Sequence, residues 1–261
     1  MILEELVTAT RQNMYKRQQT YSCDVLKKQV AALDIKKDFL FEKDLATANL
    51  SIIAEVKKAS PSKGVIVKKF PYLQIAHDYT EAGVAAISVL TEQNYFQGNL
   101  KYLRDIAAAT TVPVLRKDFI IDPYMIYEAK INGASIILLI VAILTDQQLK
   151  DFFHLANDLG MSAIVEVHSE LEVQRALAAG VRIIGINNRN LKDFSVSITT
   201  TIQLRKIIPT NILLISESGI RSSNDVAKLK KAGLNGILVG EYLMHSADKK
   251  KTITQLSEAK I

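Results

Sequence analysis

The sequence predicts an α/β protein, a (β/α)8 TIM barrel with an N-terminal helical extension. From Ser51 onward, one pattern recurs about eight times: a short apolar segment ends in polar residues, and an amphipathic segment follows. Strand–loop–helix units require this pattern. Glycine closes five of the helical segments, because it best tolerates the left-handed conformation after a helix. The 261-residue chain is 48% hydrophobic and 23% charged, so it can bury a full core and is not disordered.

Helices are predicted for the N-terminal extension, residues 1–48, because its apolar residues recur at helical spacing. These residues form two stripes: Leu3, Leu6, Val7 and Met14, then Val25, Leu26, Val30 and Leu33. The basic and polar residues between them, such as Arg11, Lys16 and Arg17, are expected to face water. We expect this extension to pack on the barrel, residues 49–261, within a single structural domain, and to have no functional site of its own.

Eight strands are predicted from β-branched and other apolar residues. They lie at residues 51–56, 84–89, 112–116, 135–141, 162–167, 182–187, 211–216 and 235–239. The helices that follow them are predicted at residues 72–82, 99–109, 122–132, 145–159, 169–179, 197–207, 221–232 and 249–259. The glycines that close five of these helices are Gly83, Gly133, Gly160, Gly180 and Gly233. An open doubly wound sheet is the alternative fold, but it usually has five or six strands and a glycine-rich first turn, and neither is seen.

Composition excludes several classes of protein. No apolar run reaches the ~18 residues of a membrane span, and the acidic first residues lack the order of a secretory signal. A single cysteine, Cys23, cannot form an internal disulfide, which favours the cytoplasm. The four histidines show no paired ligand spacing, so no metal is expected. The net charge of +6 is accompanied by no groove-reading motif, so a small anionic substrate is favoured over nucleic acid.

The first barrel strand ends in Glu55 and Lys57, whose spacing places both side chains on one face. A structural ion pair is the simplest interpretation of this pair alone. In a (β/α)8 barrel, however, active sites lie at the carboxyl ends of the strands. Charged, polar or glycine residues also stand at the ends of other strands: Lys117, Glu166, Asn187, Arg189, Glu217, Ser218, Gly219 and Gly240. The barrel would gather these groups around one mouth, which predicts an active site there.

A phosphate site is predicted at one side of this mouth, because the loops after strands seven and eight of such barrels often hold a phosphate. These loops contain Gly219 and Gly240, which expose backbone N–H groups. A short helix after Gly240 would add its positive dipole end, and Glu241 would contribute only its N–H. Arg189 and the loop that begins at Ser60 are expected to supply further donors.

On these residues, the chain resembles the indole-3-glycerol phosphate synthase family of tryptophan biosynthesis. Five segments carry the resemblance: Ile-Ala-Glu-Val-Lys-Lys-Ala-Ser-Pro-Ser-Lys-Gly (53–64), Leu-Arg-Lys-Asp-Phe (115–119), Val-Glu-Val-His (165–168), Ile-Gly-Ile-Asn-Asn-Arg (184–189) and Ser-Glu-Ser-Gly-Ile (216–220). The similarity extends from Ile53 to Met244 and includes the helical extension typical of the family. It implies a carboxy-lyase that converts 1-(2-carboxyphenylamino)-1-deoxyribulose 5-phosphate to indole-3-glycerol phosphate, carbon dioxide and water, without a cofactor.

The resemblance also implies roles for the charged residues. Lys117 would be the main acid of ring closure, since an ammonium can protonate the ketone oxygen and stabilise developing negative charge. Lys57 would bind the substrate carboxylate and assist dehydration. Glu166, helped by Glu55, is the candidate base. Both chemical steps occur in one pocket, so the sequence leaves open which lysine protonates which atom.

Substrate orientation is assigned to further residues by the same resemblance. Asn187 would orient the sugar hydroxyls, and Ser218 would lie between these hydroxyls and the phosphate. The anthranilate ring needs an apolar wall, for which family members place apolar residues at four positions: Phe96, Phe119, Leu138 and Ile140. Ordinary packing in the core or at the rim is the alternative for all four.

Two other functions remain open from the sequence. Phosphoribosylanthranilate isomerase, a phosphate-binding barrel of the same pathway, typically relies on a cysteine and an aspartate, and no cysteine lies at a predicted strand end. A basic nucleic-acid-binding protein would leave the lysine and glutamate ring unexplained. We expect the chain to be a monomer or a weak homodimer.

Overall fold

The computed structural model describes residues 2–47, 49–190 and 193–259. Eight parallel strands of these residues close into a barrel, in which neighbours in the chain are neighbours in the sheet. Strands β1 to β8 are Ser51–Val56, Ala86–Leu90, Val114–Lys117, Ile136–Ile140, Ser162–Val167, Ile183–Asn187, Leu213–Glu217 and Gly236–Val239. Pairing of Ser51 with Gly236 joins β1 to β8. The predicted barrel is confirmed, whereas the predicted boundary at residue 48 lies outside the described residues.

Three of the described helices precede the barrel, and the others follow its strands in turn. Helices α1 to α12 are Ile2–Thr20, Cys23–Ala31, Leu40–Leu45, Tyr72–Glu81, Leu100–Ala109, Pro123–Ile131, Asp146–Asp158, Glu170–Ala178, Thr199–Leu204, Ser223–Lys231, Glu241–His245 and Lys249–Ser257. Short 3₁₀ turns cover Val141–Ile143 and Arg205–Ile207. A two-stranded hairpin, Ala59–Ser60 with Gly64–Val65, follows β1. Within the described ranges, no helix combines the length and apolar character needed to cross a membrane.

Local sequence determines where the helices begin and end. Thr145 caps α7, and its side chain and that of Gln148 form a reciprocal capping box. All five glycines predicted to close helices have positive φ. At Gly160 an added Cβ would also lie 2.2 Å from the backbone oxygen of Lys36. Glycine is therefore needed there both for its conformation and for the close passage of the segment after α2.

The barrel interior is filled by a cluster of apolar side chains separate from the one that lies between strands and helices. Phe41 and Leu45 of α3 belong to the interior cluster. The Asn235 side chain, just before β8, donates a hydrogen bond to the backbone oxygen of Leu45 at 3.0 Å. Helix α3 thus closes the amino-terminal end of the barrel, and a ligand can enter the interior from the carboxyl end.

The stripe predicted for α2 is half correct. Leu26 and Val30 are buried, as expected for residues four apart on one helical face. Val25 and Leu33, however, are 40% and 43% exposed, so their prediction as part of the buried stripe is wrong. Val25 points away from that face, and Leu33 lies beyond the end of α2. Only one face of this short helix packs on the barrel.

Arg17 of α1 also differs from expectation, because it is engaged in an ion pair. Its Nε lies 2.6 Å from Glu128 Oε1 of α6. Glu128 Oε2 in turn lies 2.9 Å from an Nη atom of Arg116, which is fully buried in β3. The same Arg116 atom lies 3.1 Å from Asp118 Oδ2. Each buried charge therefore has a partner, as burial demands, and the network connects α1 to the strand that ends in Lys117.

Two strands extend one residue further than predicted and so include a charged residue. β3 includes Lys117 and β7 includes Glu217, whereas the predicted strands end at residues 116 and 216. Their backbones are held by the sheet, since Lys117 pairs with Leu90 and Glu217 pairs with Asn187. Both charged side chains therefore project from rigid strands rather than from loops.

Candidate active site

A cavity of about 440 Å³ opens at the carboxyl ends of the strands. It is lined by every site residue predicted from the sequence: Glu55, Lys57, Ser60, Phe96, Lys117, Phe119, Leu138, Ile140, Glu166, Asn187, Arg189, Ser218, Gly219, Gly240 and Glu241. These residues span nearly two hundred positions of the chain, and the closed barrel brings them to one mouth.

Four charged side chains come from alternate strands, which supply the members of one layer in such a barrel. They are Glu55 on β1, Lys117 on β3, Glu166 on β5 and Glu217 on β7. Two positions earlier, the same strands carry the buried residues Ile53, Leu115, Ile164 and Ile215. Because side chains two apart share a face, the charged layer rests on an apolar one. This arrangement withdraws the charges from water and strengthens their interactions.

Lys117 lies at the centre of the charged layer. Its Nζ is 3.5 Å from Glu166 Oε2 and 3.4 Å from Glu217 Oε2. Burial alone would lower the pKa of Lys117, but the charges of Glu217, Glu166 and Glu55 raise it above its ordinary value. The ammonium therefore remains protonated at neutral pH, facing a cavity that can hold a substrate.

The two carboxylates beside Lys117 have opposite shifts. Burial tends to raise the pKa of Glu166, but Lys117, His168 and Asn187 together lower it to about 2. Burial raises the pKa of Glu217 to about 7, since the attraction of Lys117 is offset by repulsion from Glu166. Paired acidic groups whose environments separate their pKa values in this way are typical of sites that move protons.

Glu55 and Lys57 form an ion pair beside this layer. Lys57 Nζ lies 2.5 Å from Glu55 Oε2, and both side chains are largely buried. Gly240 allows the pair to occupy this position, because a Cβ there would lie 2.0 Å from Glu55 Oε2 and 2.9 Å from Lys57 Nζ. The pair is thus confined between β1 and the loop after β8, with the lysine at the cavity wall.

Asn187 orders the next part of the mouth. Its Nδ2 donates to Glu166 Oε1 at 3.2 Å, and its Oδ1 accepts a hydrogen bond from the backbone N–H of Arg189 at 3.0 Å. The Arg189 guanidinium donates in turn to the backbone oxygen of Phe194 at 3.4 Å. These contacts hold an amide and a guanidinium at the rim of the cavity, where both can meet a polar substrate.

The loop after β7 has a backbone suited to an anion. Ser218 and Gly219 have φ values of 69° and 81°, so two consecutive residues are left-handed. A Cβ on Gly219 would lie 2.6 Å from Val196 Cγ1. The loop after β8 begins at Gly240 and leads into α11, as predicted. Glu241 Oε1 lies 3.8 Å from Nζ of Lys63, which belongs to the loop after β1. The Glu241 carboxylate is therefore drawn toward this lysine.

The apolar side of the cavity contains two tilted rings. The centroids of Phe96 and Phe119 are 6.3 Å apart, at an interplanar angle of 45°. Leu138 and Ile140, both buried, belong to the barrel interior and line the cavity from β4. Such walls can accept an aromatic ring of a ligand.

Helix α1 completes this wall, which sequence reasoning missed. Leu3 and Leu6 line the cavity, so the extension, for which no site of its own is predicted, contributes to the site of the barrel. Helical periodicity predicts that these leucines belong to an apolar face, but it does not identify the surface that this face contacts. The sequence predicts Glu217 at the mouth but assigns it no role. Its position at the end of β7, in line with the charged residues of β1, β3 and β5, is the signal that could have indicated a role.

Comparison with known proteins agrees with this geometry. The family described as Indole-3-glycerol phosphate synthase matches residues 3–256. Among curated relatives, the indole-3-glycerol phosphate synthase of Leuconostoc mesenteroides subsp. mesenteroides is 57% identical over 258 residues, covering 98% of each chain. The enzyme of the same name from Lacticaseibacillus casei is 56% identical over 260 residues, covering 99% of each chain.

Solved structures support the fold at much lower identity. The 3-hexulose-6-phosphate synthase of Salmonella typhimurium superimposes with a TM-score of 0.64 at 15% identity, covering 80% of this chain and 98% of that one. The thiamine phosphate pyrophosphorylase of Pyrococcus furiosus gives 0.60 at 17% identity, covering 80% and 95%. The full-length match to the family and the identity to its members, rather than this likeness of fold, decide the assignment. The chain belongs to the indole-3-glycerol phosphate synthase family.

Proposed function

We propose that this cavity carries out the indole-3-glycerol phosphate synthase reaction. The chain is a carbon–carbon lyase of tryptophan biosynthesis, and its substrate is 1-(2-carboxyphenylamino)-1-deoxyribulose 5-phosphate. Ring closure, loss of carbon dioxide and loss of water give indole-3-glycerol phosphate. The observation that carries this proposal is the buried Lys117 ammonium, held 3.5 and 3.4 Å from the carboxylates of Glu166 and Glu217 at the mouth of the barrel.

The substrate would lie across the cavity with its two anionic groups apart. Its phosphate would contact the backbone N–H groups after β7 and β8, at Gly219 and Gly240, with Ser218 beside them and Glu241 turned toward Lys63. The guanidinium of Arg189 and the hydroxyl of Ser60 would donate further hydrogen bonds. Charge-assisted contacts of this kind are the stronger class.

The aromatic end of the substrate would occupy the apolar side. Phe96 and Phe119 would contact the anthranilate ring, and Leu138 and Ile140 would close the pocket from β4. The ring carboxylate would meet Lys57, whose Nζ already holds the carboxylate of Glu55 at 2.5 Å. In this orientation the ribulose ketone lies near the centre of the charged layer.

Lys117 would act in the first step as the acid. The ring carbon that bears the carboxylate attacks the ketone carbon, and the ketone oxygen takes a proton from the ammonium. A positioned ammonium also stabilises the negative charge that develops on that oxygen. Loss of carbon dioxide from that same ring carbon, now bonded to the former ketone carbon, then restores aromaticity.

Dehydration follows and needs an acid and a base. Lys57 would donate a proton to the departing hydroxyl, while Glu166, with help from Glu55, would accept a proton from the methylene carbon beside the nitrogen, so that the indole keeps its N–H. Glu166 is a weak base while Lys117 is charged beside it. Once Lys117 has given up its proton, that attraction is lost and the pKa of Glu166 rises, so the first step prepares the base for the second.

Glu217 would restore the protonation of Lys117. Its pKa of about 7 means that this carboxyl can both hold and release a proton near neutral pH. Its Oε2 lies 3.4 Å from Lys117 Nζ, close enough to return a proton with a small movement. Asn187 would bind the sugar hydroxyls. All these steps move protons without a change of oxidation state overall, so side chains suffice and no cofactor is proposed.

The proposal also covers the oligomeric state and the cellular compartment. We infer a monomer or weak homodimer, because the closed barrel assembles the cavity without needing a second copy. We also place the enzyme in the cytoplasm, where a free thiol such as that of Cys23 is stable. Light scattering after gel filtration would test the first of these statements.

The decisive experiment is a fluorescence assay for the indole product from the carboxyphenylamino sugar phosphate. We expect the purified chain to form indole-3-glycerol phosphate and to release carbon dioxide in equal amounts. A chain that folds but forms no indole product would refute the proposed function. Lys150, exposed on α7, provides a matched lysine for comparison with Lys117.

A further inference from the structure

His168 connects the charged layer to helix α8. It follows the last residue of β5, and its side chain is 13% exposed. Its Nε2 faces Glu166 Oε1 at 3.3 Å, while its Nδ1 lies 3.2 Å from Glu172 Oε2. The ring thus lies between two carboxylates, one at the reaction centre and one on α8. His168 does not line the cavity, so it would act through Glu166 rather than on the substrate.

The first turn of α8 fixes the outer carboxylate. Glu172 Oε2 also accepts a hydrogen bond from the backbone N–H of His168 at 2.7 Å. The backbone N–H of Glu172 donates to the Ser169 hydroxyl at 3.3 Å, which caps the helix. Glu172 is therefore held at both its backbone and its side chain, and it restrains the imidazole in turn.

The oxygens of Glu166 have separate neighbours. Oε1 faces His168 Nε2 and accepts a hydrogen bond from Asn187 Nδ2 at 3.2 Å. Oε2 faces Lys117 Nζ at 3.5 Å. His168 Nε2 is buried and makes no hydrogen bond to another described residue, and Glu166 Oε1, at 3.3 Å, is the carboxylate oxygen beside it.

We propose that His168, held by Glu172, is a positioning residue that fixes Glu166 Oε1 and thereby presents Oε2 to Lys117 and the substrate. This inference rests on the proposed function of Glu166 as the base. Carboxylate–imidazole–carboxylate chains fix both the orientation and the ionisation of the inner group, as partners of metal-bound histidines do in other sites.

Electrostatics agree with this geometry. Burial alone would lower the pKa of His168, but its contacts with Glu166 and Glu172 and their charges raise it to about 10. Lys117, on the far side of Glu166, is the other charged group that acts strongly on this carboxylate. The imidazole is therefore a cation at neutral pH and helps to keep Glu166 ionised before reaction.

The test compares His168→Gln, which keeps a neutral donor, with His168→Ala, which removes it. Without the cation the pKa of Glu166 rises, so we expect the acid limb of the kcat–pH profile to move to higher pH. Loss of an outer partner of this kind typically costs about tenfold or more in activity, so kcat should fall about tenfold in the glutamine variant and further in the alanine variant, with KM little changed. His154→Gln, at an exposed position on α7, is the matched control.

A second measurement does not depend on turnover. In NMR spectra of the active wild-type enzyme, with His168 assigned from its variant, its ring should still be protonated at pH 8, and Glu172→Gln should lower its pKa. Titration near the ordinary 6.5, or a His168→Gln variant with unchanged kcat and acid limb, would overturn the inference. Absence of product from the wild-type chain would instead refute the proposed function.

Discussion

Replacing Lys117 by alanine tests the centre of the proposed mechanism. The variant loses the acid of ring closure, a contribution of about 10²–10⁴-fold, and the charge stabilisation supplied by the same group. We expect kcat to fall at least about 10³-fold, which corresponds to roughly 4 kcal/mol of activation free energy. Substrate binding should change little, because the phosphate loops and the ring pocket around Phe96 and Phe119 remain.

The same substitution should change the pH dependence of stability. Removing one partner of a buried ion pair costs about 3–5 kcal/mol when the remaining charge stays buried. Without Lys117, the pKa values of Glu166 and Glu217 rise above the unfolded value of 4.5. The folded variant then binds more protons than the unfolded chain. It should therefore approach wild-type stability at acid pH and lose stability as the pH rises through these raised values.

Indole fluorescence under single-turnover conditions measures the loss of turnover in Lys117→Ala. Thermal unfolding from pH 5 to 8 measures the change in the pH dependence of its stability. Lys150→Ala, on the exposed face of α7, should leave both unchanged. Near-normal turnover in Lys117→Ala would refute the assignment of the acid. A pH-independent loss of stability would refute the account of the buried charges.

Three further changes test the neighbouring groups. Glu166→Gln should lower kcat about 10²-fold or more, since the base of dehydration is lost, and stopped-flow fluorescence would measure it. Inorganic phosphate soaked into crystals should lie beside Gly219 and Gly240, and Gly219→Ala should weaken its binding because a residue with φ of 81° is strained there. Glu217→Gln should flatten the stability profile: a folded pKa of about 7 against 4.5 unfolded implies about 3 kcal/mol that is present below pH 4.5 and lost as the pH rises through 7.

Controls separate these effects from general damage. Glu170→Gln, at an exposed position on α8, should keep normal turnover. A mild effect of Glu166→Gln would move the base elsewhere, and phosphate bound away from the loops after β7 and β8 would contradict the predicted anion site. A Glu217→Gln variant with the wild-type stability profile would show that this carboxyl does not titrate as described.

The alternation of strands and helices could be predicted from the sequence because each unit is local. Apolar runs, polar strand ends and a helix-closing glycine such as Gly133 repeat within about thirty residues, and a closed barrel then determines which ends meet. The charged residues of the site followed from their position at these ends. Lys117 and Glu217 were found in this way even though the predicted strands stopped one residue short.

The properties that could not be predicted depend on distant partners. Leu3 and Leu6 are identifiable as part of one apolar helical face, but the surface that this face meets is formed by other parts of the chain. The raised pKa of Glu217 depends on Lys117 and Glu166, which are separated from it by many residues. The contact of His168 with Glu166 could not be predicted either, because it requires the strand end and the first turn of α8 to be placed together.

The alternation of strands around the barrel has a consequence for engineering. Groups that exchange protons come from odd-numbered strands, whereas β2, β4 and β8 contribute the apolar surfaces Leu90, Leu138, Ile140 and Leu238. A library of variants restricted to those four positions would reshape the apolar side of the cavity for substrates with bulkier or differently substituted aromatic amines. The acid–base machinery would be inherited intact, so new specificity could be selected without having to evolve new chemistry.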